Sequence, residues 1–197
     1  TARNPKVIFG STGSYEVSLT VNDGNTSDSK VIPNMVTVFP SLCNADTVAG
    51  YALSVLPDEG YAVTAPLKIG TLNSITLSAW VKPNGIQSNY AGVLFADNDG
   101  GCGLNFKQNN RLGYHWAGAG GSWSWNNGPI IDSNSWNHVA LVITPDSATI
   151  YWNGVGYTRV ASHGAVDFTA PLKIGRDRYW TDRTFNGWID EVSVYNR

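Results

Sequence analysis

The chain has 197 residues, of which 42% are hydrophobic and only 14% charged, and its formal net charge is −2. The apolar content is sufficient for a packed core, so a disordered chain is not expected. The nearly balanced charge argues against nucleic acid as a partner. No apolar run is long enough to predict membrane insertion and no apolar signal region opens the chain, so we expect a soluble protein, mature or trimmed.

Residues 1–40 are predicted to contain two strands, the second at 35–39. On the first, four apolar residues alternate with polar ones: Tyr15, Val17, Leu19 and Val21. The run GSYEVSLTVNDG at residues 13–24 resembles the last two strands of a polycystic-kidney-disease (PKD) type immunoglobulin-like domain. Half of such a domain would expose an apolar face and an unpaired edge. We therefore expect these strands to pack against the larger domain or to self-associate with another chain.

Residues 41–197 are predicted to form the larger domain, and the class is all-β because no segment has helical spacing of apolar residues. Residues 74–81 alternate as a half-buried strand does. Residues 138–143 are apolar at consecutive positions, which predicts a central strand covered on both faces. Another strand is predicted at 148–152, and Asn153-Gly154 after it favours a type I′ hairpin turn.

Five segments resemble, in order, the signatures of a laminin-G-like jelly-roll domain: 75–83 (ITLSAWVKP), 136–140 (WNHVA), 150–154 (IYWNG), 172–175 (LKIG) and 185–195 (FNGWIDEVSVY). The resemblance implies a concanavalin A-like antiparallel β-sandwich preceded by a short PKD-like β-hairpin. Similar pairs of domains occur in modular bacterial proteins. We therefore expect a secreted, periplasmic or cell-surface location and neighbouring domains in a larger parent protein.

The two cysteines, Cys43 and Cys102, permit one disulfide bond or two free buried thiols. Sequence spacing does not decide between these alternatives, because a disulfide requires a specific geometry.

A metal site is predicted at Asp190. In a regular strand its side chain shares a face with Val192 and Val194, so its carboxylate needs a partner, either a cation or an arginine such as Arg183. The family resemblance implies a structural Ca²⁺ between this closing Asp and an early segment, here Asp58, Glu59 and Gly60. That segment departs from the family's usual aromatic-Asp-Gly pattern, so Asp58 and Glu59 are interchangeable candidates.

A sugar-binding surface is predicted on aromatic loops, because sugars combine apolar C–H faces with hydroxyl groups. Trp116, Trp123 and Trp125 flank a loop of small residues at 117–122. Other candidates are the rings of Tyr90, Tyr179 and Trp180 and the hydrogen-bonding residues Asn126, Asp177 and Arg178. The alternative is that these rings pack against the sandwich or a neighbour. The family resemblance implies packing roles for Trp80, Trp136 and Trp152.

Catalysis is not expected. The only glutamates are Glu16, Glu59 and Glu191, and Asp190 and Glu191 would lie on opposite faces of a regular strand. A retaining glycosidase needs two carboxylates close together on one face. The three histidines, His115, His138 and His163, are dispersed and are expected to be structural. The sequence predicts a non-catalytic, calcium-stabilised glycan-binding module; the alternatives are an adhesion domain that contacts protein and, third, a glycoside hydrolase.

Overall fold

The computed structural model describes residue 11 and residues 13–38, 51–57, 60–96, 101–116, 128–178 and 181–197. The chain divides into two compact units, Thr1–Gly50 and Tyr51–Arg197.

The described part of the first unit is an antiparallel hairpin of β1 (Gly13–Asn22) and β2 (Ser27–Val38). Asp23 closes its turn, accepting hydrogen bonds from the amides of Asn25 at 2.9 Å and Thr26 at 2.7 Å. These two bonds to the ionised carboxylate lower the pKa of Asp23. Leu19, Val21 and Met35 are exposed along the strands. A two-stranded hairpin alone is only marginally stable in water, which favours a partner for these strands. Self-association through them stays a prediction.

The second unit contains thirteen strands in its described residues, together with short 3₁₀ turns at Gln108–Asn110 and Thr181–Arg183. The strands are β3 (Leu53–Val55), β4 (Ala62–Val63), β5 (Thr71–Leu72), β6 (Ile75–Pro83), β7 (Gly92–Ala96), β8 (Cys102–Phe106), β9 (Leu112–Trp116), β10 (Asn137–Thr144), β11 (Ser147–Trp152), β12 (Val155–Val160), β13 (Val166–Asp167), β14 (Leu172–Ile174) and β15 (Gly187–Tyr195). Among the residues described, no helix has the length and apolarity needed to cross a bilayer.

Two antiparallel sheets form the sandwich of the second unit. One has six strands in the order β12-β11-β10-β6-β15-β3, and the other has five in the order β4-β14-β7-β8-β9. Their inner faces meet in one core, to which Leu77 and Leu141 contribute from the first sheet and Leu94, Leu104 and Tyr114 from the second. The predicted all-β class and the concanavalin A-like sandwich are confirmed, and the hairpin precedes it.

The strands of the six-stranded sheet follow the periodicity read from the sequence. In β6, Ile75, Leu77, Ala79 and Val81 are all buried against the core, as predicted. β10 is central, between β11 and β6, but its outer face is only partly covered, because His138 and Val142 are half-buried. At the β11–β12 turn, Asn153 (φ 48°) and Gly154 (φ 85°) both have positive φ, which confirms the type I′ prediction.

β15 departs from a regular strand at a β-bulge, and this corrects the prediction for Asp190. Asp190 pairs with Trp80 of β6, whereas Ser193 pairs with Ser78, so β15 carries one extra residue between these positions. Glu191 occupies the left-handed region at φ 48°. The bulge allows Ile189 on one side and Val192 and Val194 on the other to face the core. Asp190 therefore does not share the face of Val192 and Val194, because the alternation shifts by one residue.

Cys102 lies in the core of the second unit at the start of β8. Cys43 lies outside the described residues, so the choice between a disulfide bond and two thiols stays open.

The left-handed backbone of Glu191 in the bulge predicts how substitutions at this position change the free energy of unfolding. A Cβ atom in the left-handed region costs about 1 kcal/mol, and a β-branched side chain there costs more. We expect Glu191→Gly to unfold with a free energy equal to or above that of Glu191→Gln, and Glu191→Val to lose at least about 1 kcal/mol relative to it. Urea denaturation measures these differences. Equal stabilities for the Gly and Val variants would contradict the bulge geometry.

Candidate functional site

An open groove of about 290 Å³ lies on the outer face of the six-stranded sheet, and we call it the aromatic groove. It is lined by Trp80, Trp136, Asp190 and Glu191. Trp80 is 37% exposed and Trp136 is 42% exposed. The groove therefore offers two solvent-accessible indole rings and two carboxylates at one place.

Strand pairing brings Trp80 and Asp190 together. They are directly opposite in the β6–β15 register, and His138 of β10 is opposite Trp80 on the other side. The His138 ring meets the Trp80 ring edge-on, with centroids 5.4 Å apart and an interplanar angle of 62°. Cross-strand neighbours on one face lie about 5 Å apart, so this row holds the Trp80 ring beside the Asp190 carboxylate.

Asn137 holds the turn that carries Trp136. Its buried side-chain amide donates to the carbonyl oxygens of Asp132 at 2.9 Å and Ser135 at 2.8 Å. Its side-chain oxygen accepts a hydrogen bond from Trp152 Nε1 at 2.8 Å. These three bonds fix the turn next to Trp136. The backbone that carries the Trp136 ring is therefore already ordered before a ligand binds, and less conformational entropy is lost on binding.

The polar groups that line the aromatic groove are hydrogen-bond acceptors. Asp190 Oδ1 accepts from the Glu191 backbone amide at 2.8 Å, which holds this carboxylate in place. The bulge turns the exposed Glu191 side chain to the same groove. The nearest lysine on this face, Lys82, has its Nζ 5.3 Å from the ring centroid of Trp188, which is not a lining residue.

Several predictions for these residues need correction. Trp80 and Trp136 were expected to pack in the interior but are more than one-third exposed. Trp80 stands at an outward position of β6, and Trp136 lies in the turn just before β10. Trp152 does pack against the core, as predicted. Asp190 and Glu191 were expected on opposite faces, yet both line the groove because the bulge interrupts the alternation.

The predicted sugar-binding residues that the structure describes lie elsewhere, at the five-stranded sheet and the loop after β14. Trp116 is 0% exposed and its Nε1 donates to the Gly164 carbonyl oxygen at 2.7 Å. The expectation of an exposed Trp116 ring is therefore wrong, since its strand position faces the core. Trp123, Trp125, Asn126, Tyr179 and Trp180 lie outside the described residues.

Tyr90, Asp177 and Arg178 do come close to one another through Arg183, but their polar groups are engaged within the protein. The Tyr90 ring has Lys107 Nζ at 4.3 Å and the Arg183 guanidinium at 4.7 Å from its centroid. Asp177 is buried; its Oδ2 pairs with Arg183 Nη1 at 2.9 Å and its Oδ1 accepts the Arg178 amide. Arg183 thus pairs with Asp177, rather than with Asp190 as the alternative to a metal proposed.

The outer face of the five-stranded sheet carries buried polar residues that sequence reasoning missed, among them Asn105 and Lys107. Asn105 is 1% exposed, and among the described residues neither its side-chain oxygen nor its nitrogen has a hydrogen-bond partner. Its neighbours across the sheet are Gly92 and Gly113. Burying an amide without partners costs about 1–3 kcal/mol, so this position calls for a bound water or ligand. The sequence signal that could have identified Asn105 and Lys107 is a polar residue within or next to an otherwise apolar strand.

The histidines occupy three different environments. His163 Nε2 and the Tyr114 hydroxyl are 2.9 Å apart in the core, where burial lowers the pKa of His163 and raises that of Tyr114. His115 stacks on Phe95 with ring centroids 6.3 Å apart. The structural roles of these two histidines agree with expectation, whereas His138 stands at the aromatic groove.

The described residues contain no group of three metal-ligating side chains. Asp58 and Glu59 lie outside them, and Gly60 is exposed with φ 153°. In the β15–β3 pair, Gly187 is opposite Val55 and Ile189 is opposite Leu53, so β3 ends at the Gly187 side. Three residues of strand, about 10 Å, separate Asp190 from that end. Ca²⁺ binding stays a prediction.

A family model described as the concanavalin A-like lectin/glucanases superfamily matches residues 57–197. No curated protein shows significant similarity to the chain.

Three solved structures are similar to the chain at low sequence identity. The fourth domain of an extracellular GH43 arabinanase from Geobacillus stearothermophilus, in complex with arabinotriose, is 21% identical with a TM-score of 0.49, over 77% of this chain and 78% of that one. Domains LG4-5 of the mouse laminin α1 chain are 14% identical with a TM-score of 0.51, over 75% and 41%. Trypanosoma rangeli sialidase, in complex with 2,3-difluorosialic acid, is 18% identical with a TM-score of 0.50, over 74% and 25%. The similarity to laminin and sialidase shows the fold, and the chain spans less than half of either protein.

The lowered pKa of Lys107 predicts that the free energy of unfolding rises at alkaline pH. Burial, together with the Arg183 charge, lowers the pKa of Lys107 to about 8, while Asp177 acts in the opposite direction. Between pH 8 and the ordinary lysine value of 10.5, the unfolded chain binds a proton that the native state does not. Lys107 therefore adds stability as the pH rises through this window, by up to about 1.4 kcal/mol per pH unit. Urea denaturation from about pH 7.5 to 9.5 should show this slope, and Lys107→Met should reduce it; unchanged slopes would contradict the assignment.

Calcium binding has a direct thermal test. If Asp190 and the segment around Gly60 hold a structural Ca²⁺, EDTA should lower the melting temperature by several degrees and added Ca²⁺ should restore it, because a ligand that binds only the native state stabilises it. Differential scanning calorimetry measures the shift, with Asp190→Asn as the variant that should no longer respond. An unchanged melting curve would remove calcium from the description of this protein.

Proposed function

Since the chain belongs to the concanavalin A-like lectin/glucanase superfamily, we propose that it is a non-catalytic carbohydrate-binding module. The superfamily fold serves both binding and catalysis, so the choice between them rests on the site. We propose the aromatic groove as the place where the sugar binds.

The observation that carries this proposal is the pairing of exposed indole rings with fixed carboxylates in the aromatic groove. Trp80 and Trp136 supply flat apolar surfaces, and Asp190 supplies acceptors beside them. A pyranose ring places its C–H face on an indole while its hydroxyl groups donate to carboxylate oxygens. The groove is at the small end of the usual range for ligand sites, about 300–1,000 Å³, which suits one sugar ring. Weak binding is expected of a shallow site with few anchors.

The loop aromatics remain a second proposed contact surface. Trp123, Trp125, Tyr179 and Trp180 could extend the site beyond the aromatic groove, with Asn126 as a hydrogen-bonding partner. Their sequence context of small and polar residues supports this proposal. The proposal also includes a PKD-like origin of the hairpin, secretion or display at a cell surface, and a larger parent protein. The sequence motif of residues 13–24 supports this part of it.

The hydrolase alternative gains one observation, because Asp190 and Glu191 line the same groove. Glycoside hydrolysis needs two carboxyl groups on either side of the scissile bond, one kept protonated by an apolar environment. Glu191 is exposed, so the structure does not place it in the apolar environment that such an acid requires. Release of reducing sugar that Glu191→Gln abolishes would establish the enzyme and overturn a purely binding role.

A glycan array tests the binding proposal. We expect Trp136→Ala to reduce binding by about two- to tenfold, since a stacked aromatic ring contributes about 0.5–1.5 kcal/mol. Trp188→Ala is the matched control, because Trp188 lies on the same sheet with 38% exposure but outside the groove. Trp123→Ala and Trp180→Ala report on the loop surface separately.

The pattern of losses distinguishes the possibilities. A loss confined to the Trp136 variant assigns the aromatic groove, and a loss confined to the loop variants moves the site to the loops. Silence across plant, algal and host glycans would contradict the carbohydrate proposal and favour protein contact by an adhesion domain. Circular dichroism of each variant should match that of the parent protein.

A further inference from the structure

We propose that the aromatic groove selects a sugar residue that carries a protonated amino group, such as a glucosaminyl unit. This inference rests on the proposed carbohydrate-binding function and adds the chemical class of the ligand. It follows from the charges and ring faces that line the groove.

The charge of the groove is one-sided. Among the described residues that line it there are two carboxylates, Asp190 and Glu191, and neither a lysine nor an arginine. His138 contacts the Trp80 ring but is not one of these lining residues. Lys82, on the same face of the sheet, holds its Nζ over the Trp188 ring, outside the lining. A neutral sugar would leave two negative charges in the groove uncompensated, whereas an ammonium group at one ring position would pair with them.

The rings of the groove favour the same ligand. A cation over the face of an indole is attracted by the ring, and tryptophan is the best aromatic partner. Trp80 and Trp136 stand beside the carboxylates, so one amino sugar can stack its C–H face on a ring and direct its ammonium group to Asp190. A sugar with a carboxylate would instead meet like charge.

The geometry at Asp190 and Glu191 indicates a prepared site. Asp190 Oδ1 is held by the Glu191 amide at 2.8 Å, and Glu191 keeps a left-handed φ of 48° that most side chains avoid. Without the bulge, the two adjacent carboxylates would point to opposite faces of β15. Their convergence on the groove that Trp80 and Trp136 line is the arrangement that a compact cation requires.

Isothermal titration calorimetry of the full chain compares four probes at about pH 6, where the amino sugar carries its proton. The probes are a glucosamine tetramer, the N-acetylglucosamine tetramer, a glucose tetramer with the same linkage, and Nα-acetyl-lysine amide. We expect the glucosamine tetramer to bind at least tenfold more tightly than the other three. Raising the salt from about 0.02 M to 0.3 M should weaken this binding and not that of neutral tetramers.

Isosteric variants locate the effect. Asp190→Asn and Glu191→Gln keep side-chain volume and should each reduce the affinity for the glucosamine tetramer by about tenfold, while Trp188→Ala leaves it unchanged. If amino and neutral tetramers bind equally in the groove, the amino-sugar inference fails and the carbohydrate proposal stands. If no tetramer binds while the glycan array shows binding of other sugars, the amino-sugar inference alone fails; silence in both experiments contradicts the carbohydrate proposal as well. If the lysine derivative binds as tightly as the sugar, the groove recognises a basic peptide and the inference is overturned.

Discussion

The geometry of the candidate site depends on the bulge in the last strand. β15 must bury Ile189 and also Val192 and Val194 against one core, and a regular strand could not do so because these residues differ in parity. The extra residue at Glu191 resolves the conflict. Its consequence on the outer face is that Asp190 and Glu191 both line the groove beside Trp80. A requirement of core packing on one side of the strand thus shapes the surface on the other.

The two sheets use their outer faces differently. The six-stranded sheet leaves indole rings partly exposed, because Trp80 and Trp188 stand at outward positions of β6 and β15. The five-stranded sheet is buried on both faces at β7, β8 and β9, and its outer side contains polar groups such as Asn105 and Lys107. Open aromatic surface suits ring stacking, whereas the buried amide of Asn105 marks a second place where a water or ligand would satisfy hydrogen bonds.

Loop residues near the five-stranded sheet are organised by charge. Arg183 pairs with Asp177 and also contacts the Tyr90 ring, which Lys107 shares. These contacts keep two cations close together, and the pKa of Lys107 is lowered first by its burial and then by the Arg183 charge. The sequence suggested Tyr90 and Asp177 as sugar ligands. In the structure both contact Arg183 and so stabilise the loop.

The sequence by itself determined the all-β class, the buried face of β6, the type I′ turn at Asn153-Gly154 and, through five ordered motifs, the superfamily. The first three depend on local periodicity or on backbone preferences of neighbouring residues, and the superfamily depends on the resemblance of the five motifs to a known family. The tertiary structure alone decided that Trp116 is interior, that Trp80 and Trp136 are exposed, and that Asp190 and Glu191 share a groove. These outcomes depend on which face each sheet buries and on one added residue in β15. A one-residue shift reverses the side on which every later side chain lies, and no local pattern records it.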